Sequence, residues 1–224
     1  MTMQAHEMGM LFDWDGVIID SSQQHEESGE RLAAEEGLDL PPDHFVQGFG
    51  KKNEFIIPHL LGWATEVNEV HRLSLRKEAL YREIVVEKGL DALPGVHVFL
   101  NRLRQAGVPT CVGSSTHRQN IDTILGVMGF EGWFDDIVTS EDVKEGKPHP
   151  EVFLKAASKL DRPPECCIVF EDAFAGIDAA RAGGIKVVGM ATTHDEATLQ
   201  TRVDRVVHRL DESQQSVIRN HAYY

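Results

Sequence analysis

Short, nearly continuous apolar runs punctuate this chain at 8–13, 108–113, 136–139, 166–170 and 185–190, with a weaker one at 203–207. Runs of that length without polar alternation predict strands buried on both faces. Between them the apolar positions recur at threes and fours. Val96, Phe99, Leu100 and Leu103 share one face of 96–106, and Gly107 can end that helix. Ile121, Ile124, Leu125 and Met128 do the same in 117–128, before Gly129. In 150–160, Pro150 stands at a first helical position and Phe153, Ala156, Ala157 and Leu160 form the stripe. A fourth pattern, 173–182, stops at Gly183-Gly184. Strands alternating with helices predict a doubly wound, Rossmann-like α/β fold with a mostly parallel sheet.

Residues 21–93 break the rhythm. They hold no convincing strand. Residues 22–36 are polar and helix-friendly, and 65–88 read as a long helix on Val70, Leu73, Leu80 and Ile84, closed by Gly89. Leu93-Pro94-Gly95 marks the return to alternation. The chain is therefore expected to form a core from 1–20 and 94–224 and a helical cap domain from 21–93, joined by two connections able to act as a hinge.

Composition narrows the partners. A formal charge of −14 over 224 residues disfavours nucleic acid and anionic membranes, both polyanions. The segment MTMQAHEMGMLFDWDG lacks a basic start followed by an apolar run of signal length, and no apolar stretch approaches membrane-spanning length. A soluble, cytoplasmic protein is expected, monomeric by default. Cys111, Cys166 and Cys167 show no metal-ligand spacing and read as reduced thiols, the adjacent pair pointing to opposite faces if both lie on a strand.

Ligands of open parallel sheets bind beyond the carboxyl ends of the strands. The first strand ends in Asp13-Trp14-Asp15-Gly16, the second in Gly113-Ser114-Ser115, and the fourth in Glu171-Asp172, while Lys147-Pro148 lies in the loop after the third. Carboxylates, a hydroxyl and a lysine thus converge on one rim. That set suits phosphoryl transfer: one carboxylate attacks phosphorus, a second handles protons, and oxygen ligands hold Mg2+. The hydroxyl and the lysine can hold the equatorial oxygens. Plainer readings exist: Ser114 as the N-cap of the next helix, Lys147 as a surface lysine, Glu171-Asp172 as helix caps. Trp14 should point away from both aspartates and pack.

DWDGV at 13–17, SST at 114–116, KPHP at 147–150 and EDAFAGI at 171–177 together resemble the four motifs of the haloacid dehalogenase superfamily. The resemblance implies Asp13 as nucleophile and metal ligand, and Asp15 as general acid/base whose carbonyl also ligates Mg2+. It implies Ser114 and Lys147 on the phosphoryl group, Asp172 as a metal ligand, and Glu171 as another, directly or through water. Gly16 would permit the tight turn beside the site. An aspartate at position 15 is similar to the phosphatases and phosphomutases rather than to the members that cleave carbon–halogen bonds.

The insertion resembles the family's helical cap placed after the first motif, which closes over the core and supplies specificity. RKEALYRE at 76–83 is similar to the cap of the β-phosphoglucomutase branch, which singles out Lys77 and, by spacing from the first motif, His25. Lys51, Lys52, Ser115, Thr116 and Arg118 complete the candidate substrate-binding set. Thr116-His117-Arg118 departs from the lysine–asparagine pair usual in the mutases. The expected partner is a small phosphorylated metabolite. Hydrolysis of a sugar phosphate, a phosphomutase reaction and non-catalytic phosphosugar binding stand as the three alternatives, in that order.

Overall fold

The computed structural model describes residues 7–48 and 52–213. Six parallel strands, β1 (Gly9–Phe12), β2 (Thr110–Gly113), β3 (Asp136–Val138), β4 (Cys167–Glu171), β5 (Lys186–Met190) and β6 (Arg205–Val207), form one sheet in the order 3-2-1-4-5-6. The helices are α1 (Ser22–Glu36), α2 (His44–Gly48), α3 (Asn53–Phe55), α4 (Val67–Lys88), α5 (Val96–Gln105), α6 (Arg118–Met128), α7 (Glu151–Lys159), α8 (Phe174–Ala182) and α9 (Glu196–Gln200). Every residue of β1, β2 and β4 is buried, as a sheet covered on both faces requires. The edge strands β3 and β6 have three residues each and are partly exposed, which limits the unpaired backbone they present.

Alternation along the strands sorts the core into two layers. Leu11, Cys111 and Val169 belong to the layer that holds Phe153, Ala156 and Ala157 of α7 and Ile177 and Ala180 of α8. Phe12 and Phe170, paired across β1 and β4, stack at 5.0 Å, and Phe99 of α5 meets both rings edge-on. Offset and edge-to-face aromatics of this kind add to simple burial.

The described residues divide into two compact units, one of 7–20, 91–121 and 129–213, the other of 21–48, 52–90 and 122–128. Within the first, the two crossings to the second run side by side: Leu93 N donates to Ile18 O at 2.8 Å, and Ile19 and Ala92 form an antiparallel bridge. In the second, Leu32 of α1 packs with Val70, Leu73 and Leu80 of α4 and with Ile57. The outer faces of the same two helices are laced by ion pairs, Arg72 to Glu36, Arg76 to Glu35, Arg31 to Glu87 and Lys88 to Glu27.

Local details depart from the sequence expectation. Pro164–Cys166 form a 3₁₀ turn, so Cys166 precedes the strand and Cys167 begins it; the opposite-face argument for the pair does not apply. Pro150 is the N-cap of α7 rather than its first residue. Between α1 and α4 lie α2, α3 and a π-helical turn at Ile56–Leu61, none with a sustained apolar period. Pro58 sits inside that turn, where a wider spiral relieves the clash a proline makes in an α-helix.

Candidate active site

In this strand order the sheet reverses direction of winding between β1 and β4, where such folds bind ligands. Register puts Phe12 opposite both Val112 and Phe170, and Asp13 N donates to Phe170 O at 2.9 Å. Asp13 at the end of β1 and Glu171-Asp172 at the end of β4 therefore emerge together. Oxygens of Asp13, Glu171 and Asp172 lie within 4.8 Å of one another, and all three residues are buried.

Lys147 reaches this cluster from the loop after β3. Its Nζ lies 2.6 Å from Asp13 Oδ1 and 2.7 Å from Glu171 Oε2. The ammonium also sits 4.7 Å from the centre of the Phe153 ring, a favourable face for a cation. Burial opposes its charge, but Asp13 and Glu171 outweigh that and hold it above the ordinary lysine range. Lys147 is thus no surface lysine.

One ammonium does not balance three buried acids. Burial first, and then the charge of Glu171, push Asp13 up to about 6 against the pull of Lys147. Burial first, and then Asp13, push Asp172 up to about 6 as well. Glu171 is raised too, by burial ahead of the opposing Lys147. A buried set of hard oxygen donors with excess negative charge fits a divalent cation. The donors are not equivalent. Glu171 Oε2 binds Lys147, and its Oε1 accepts the amides of Asp172 and Ala173 at 3.1 and 3.0 Å. Glu171 is therefore already committed to holding Lys147 and the start of α8, which leaves Asp13 and Asp172 better suited as direct ligands.

Two glycines make room for these carboxylates. A Cβ on Gly16, which has φ of +78°, would lie 2.1 Å from Asp172 Oδ2. A Cβ on Gly176 would lie 1.9 Å from Glu171 Oε2. Gly176 escaped the sequence reading, although a glycine inside an amphipathic helix, where alanine is worth about 1 kcal/mol more, was the available signal.

Ser114 is buried, its N–H donates to Val138 O at 3.0 Å, and its Oγ accepts from Thr116 N at 3.0 Å. Because α6 begins at Arg118, Ser114 is not its N-cap. Thr116 Oγ1 donates to Asp15 Oδ2 at 2.9 Å, which fixes that partly buried carboxylate to the β2 loop. Ser115 and Arg118 are exposed, and the Arg118 amide donates to Glu141 Oε2 at 3.2 Å. Trp14 is fully buried with its ring edge on Phe134.

The remaining candidates belong to the helical unit. His25 stacks on Tyr81 with ring centroids 4.1 Å apart. Burial first, then the charge of Lys77, hold His25 well below the usual histidine range. Lys77 is itself depressed by burial, with Glu78 opposing. Lys52 is exposed, and Lys51 lies outside the described residues.

Residues 8–184 match the family model of the haloacid dehalogenase-like hydrolases. The chain is 36% identical over 208 residues to the chloroplastic 5-amino-6-(5-phospho-D-ribitylamino)uracil phosphatase of Arabidopsis thaliana, covering 92% of this chain and 55% of that protein. It thus spans little more than half the length of that plant relative. It is 33% identical over 192 residues to the validoxylamine A 7′-phosphate phosphatase of Streptomyces hygroscopicus subsp. limoneus, covering 84% of this chain and 88% of that one. Among solved structures, a β-phosphoglucomutase from Clostridium difficile superposes with a TM-score of 0.80 at 26% identity, covering 96% of each chain. The matched segment carries all four strand-end clusters, and the chain belongs to the haloacid dehalogenase-like hydrolases.

Proposed function

We propose that this enzyme is a Mg2+-dependent phosphatase that hydrolyses a small phosphomonoester, a sugar or polyol phosphate, through an aspartyl-phosphate on Asp13. The observation that carries the reading is the contact of Asp13 Oδ1 with Lys147 Nζ at 2.6 Å, beside Asp172, at the switch point of the sheet. A carboxylate held this way is aimed and kept ionisable for attack. The phosphatases among its relatives, named for a phosphoribitylamino-uracil and for validoxylamine A 7′-phosphate, support the substrate class.

In the first half-reaction, an oxygen of Asp13 bonds to phosphorus as the ester P–O bond breaks, and Asp15 gives its proton to the departing alkoxide. In the second, Asp15 takes a proton from water, the resulting hydroxide bonds to phosphorus, and the acyl-phosphate bond breaks to regenerate Asp13. Lys147 and Ser114 hold the phosphoryl oxygens as charge moves. Thr116 keeps Asp15 in place between the two proton transfers. Asp13, Asp172 and the Asp15 carbonyl would hold the cation, with Glu171 behind Lys147. Magnesium, when bound, would shield the carboxylates from the charge of the phosphate dianion. In the helical unit, His25 and Lys77 are proposed to recognise the remainder of the substrate.

A phosphomutase is the second reading, favoured by the likeness to the β-phosphoglucomutase structure. It shares every core residue and differs in whether water or a substrate hydroxyl accepts the phosphoryl group. Phosphate release from a panel of phosphosugars, polyol phosphates and nucleotides, with Mg2+ and with excess chelator, tests both. Mg2+-dependent release from one class supports the phosphatase. Interconversion of β-glucose 1-phosphate and glucose 6-phosphate without release supports the mutase, and neither activity across the panel contradicts both.

A further inference from the structure

The four strand-end clusters leave the loop after β5 without a role, yet three consecutive residues of that loop touch the site. Thr192 Oγ1 donates to Gly16 O at 2.6 Å. Thr193 Oγ1 donates to Asp172 Oδ2. His194 stacks on Phe174, two residues after Asp172, with ring centroids 3.8 Å apart and planes within 4°. The guanidinium of Arg202 lies 4.4 Å from the centre of the same Phe174 ring.

The loop is also fixed at both ends. Ala191 N donates to Val207 O of β6 at 2.9 Å, and Asp195 caps α9 by accepting from Thr198 N at 2.8 Å. Its hydroxyls are therefore presented from an anchored backbone.

We infer that Thr192, Thr193 and His194 form a clasp that joins the turn after β1 to the end of β4, and that Thr193 is a positioning residue for divalent-cation binding by Asp172. This rests on the metal reading above. Asp172 Oδ2 is pressed against the Gly16 turn, so the rotation of this carboxylate has little latitude. A hydroxyl donated to Oδ2 selects one rotation of that carboxylate. The Thr192 bond to the Gly16 carbonyl holds the other side of the same contact. Partners of this kind, behind the ligand rather than on the metal, set ligand orientation and affinity.

The test is a titration with Mn2+ and no substrate, the free ion followed by its electron paramagnetic resonance signal, on wild type, Thr193→Val and Thr193→Ser. Each protein is also melted in chelator. The clasp predicts that Thr193→Val binds Mn2+ about tenfold or more weakly while Thr193→Ser stays near wild type. Thr193→Val binding within about twofold of wild type, where loss of such a partner costs about tenfold or more, overturns it. If the chelator melt shows Thr193→Val unfolded, Thr192→Val is read in its place: weaker binding supports the clasp and wild-type binding overturns it. Wild type failing to bind Mn2+ would overturn the metal reading and the clasp together, whereas tight wild-type binding with unaffected variants overturns the clasp alone.

Discussion

Two groups of buried charge in this protein are balanced in opposite senses. At the ends of β1 and β4, three acids share one lysine, and Asp13 and Asp172 are pushed up because negative charge is in excess. Around His25 in the helical unit, two bases lie near one acid, and both bases are pushed down. Glu78 opposes that depression for both without cancelling the effect of burial. A desolvated excess of one sign is a preparation for a ligand of the other sign. The first group suits a cation, whereas the second holds its histidine neutral, and the contrast is open to direct attack.

Lys147→Met should have the largest effect. It leaves Asp13 and Glu171 buried without their counter-ion, and removing one partner from such a group costs about 3–5 kcal/mol. Urea denaturation should show that loss in chelator, with Mg2+ restoring part of it; an unchanged midpoint would mean the lysine does not balance the acids. Gly176→Ala should come next. Its Cβ would overlap Glu171 Oε2, and relieving the overlap costs about 1–3 kcal/mol, visible as a lower melting temperature together with reduced turnover. A variant that melts like wild type would show that Glu171 has room to move.

The smallest effect concerns pH. His25 has a folded pKa below its ordinary value of 6.5, so the unfolded chain takes up a proton that the folded one refuses. Its contribution is complete above 6.5 and is lost as pH falls from there towards the folded value. Asp13 and Asp172, raised to about 6, add stability as pH falls through part of the same window, so the His25 share is read by difference: wild type should lose stability relative to His25→Gln in denaturant midpoints as pH falls. An unaltered slope in the variant would remove His25 from the comparison.

The same contrast explains what could be read from the sequence. Asp13, Lys147 and Glu171-Asp172 were legible because parallel strands place their carboxyl ends on one rim, so position along the chain translates into position in space. The strands themselves were legible because burial on both faces leaves no polar alternation. Helical surfaces give no such translation: Lys77 lies on a helix that also carries ion-paired charges, and nothing in its spacing separates it from Arg76, which pairs with Glu35 and Glu83. The clasp residue Thr193 left no periodic trace either, since a loop threonine is chosen for one hydrogen bond and not for a face. Gly176 lay between these cases, a helical glycine whose reason became visible only with the Glu171 carboxylate beside it. Ser114 lies at the end of β2 as its position in the chain implied, and its hydroxyl accepts from the Thr116 amide, within the loop that leads to α6.

The central claim is that phosphorus is transferred to Asp13, and the most direct measurement is acid quench of the enzyme during turnover, followed by mass spectrometry of the peptide that contains it. Phosphorylation of that peptide at Asp13 in wild type, its absence in Asp13→Asn, and loss of turnover by that variant on the order of a thousandfold or more are the results predicted. Turnover by a correctly folded Asp13→Asn protein, or the phosphoryl group found on another residue, would contradict the mechanism.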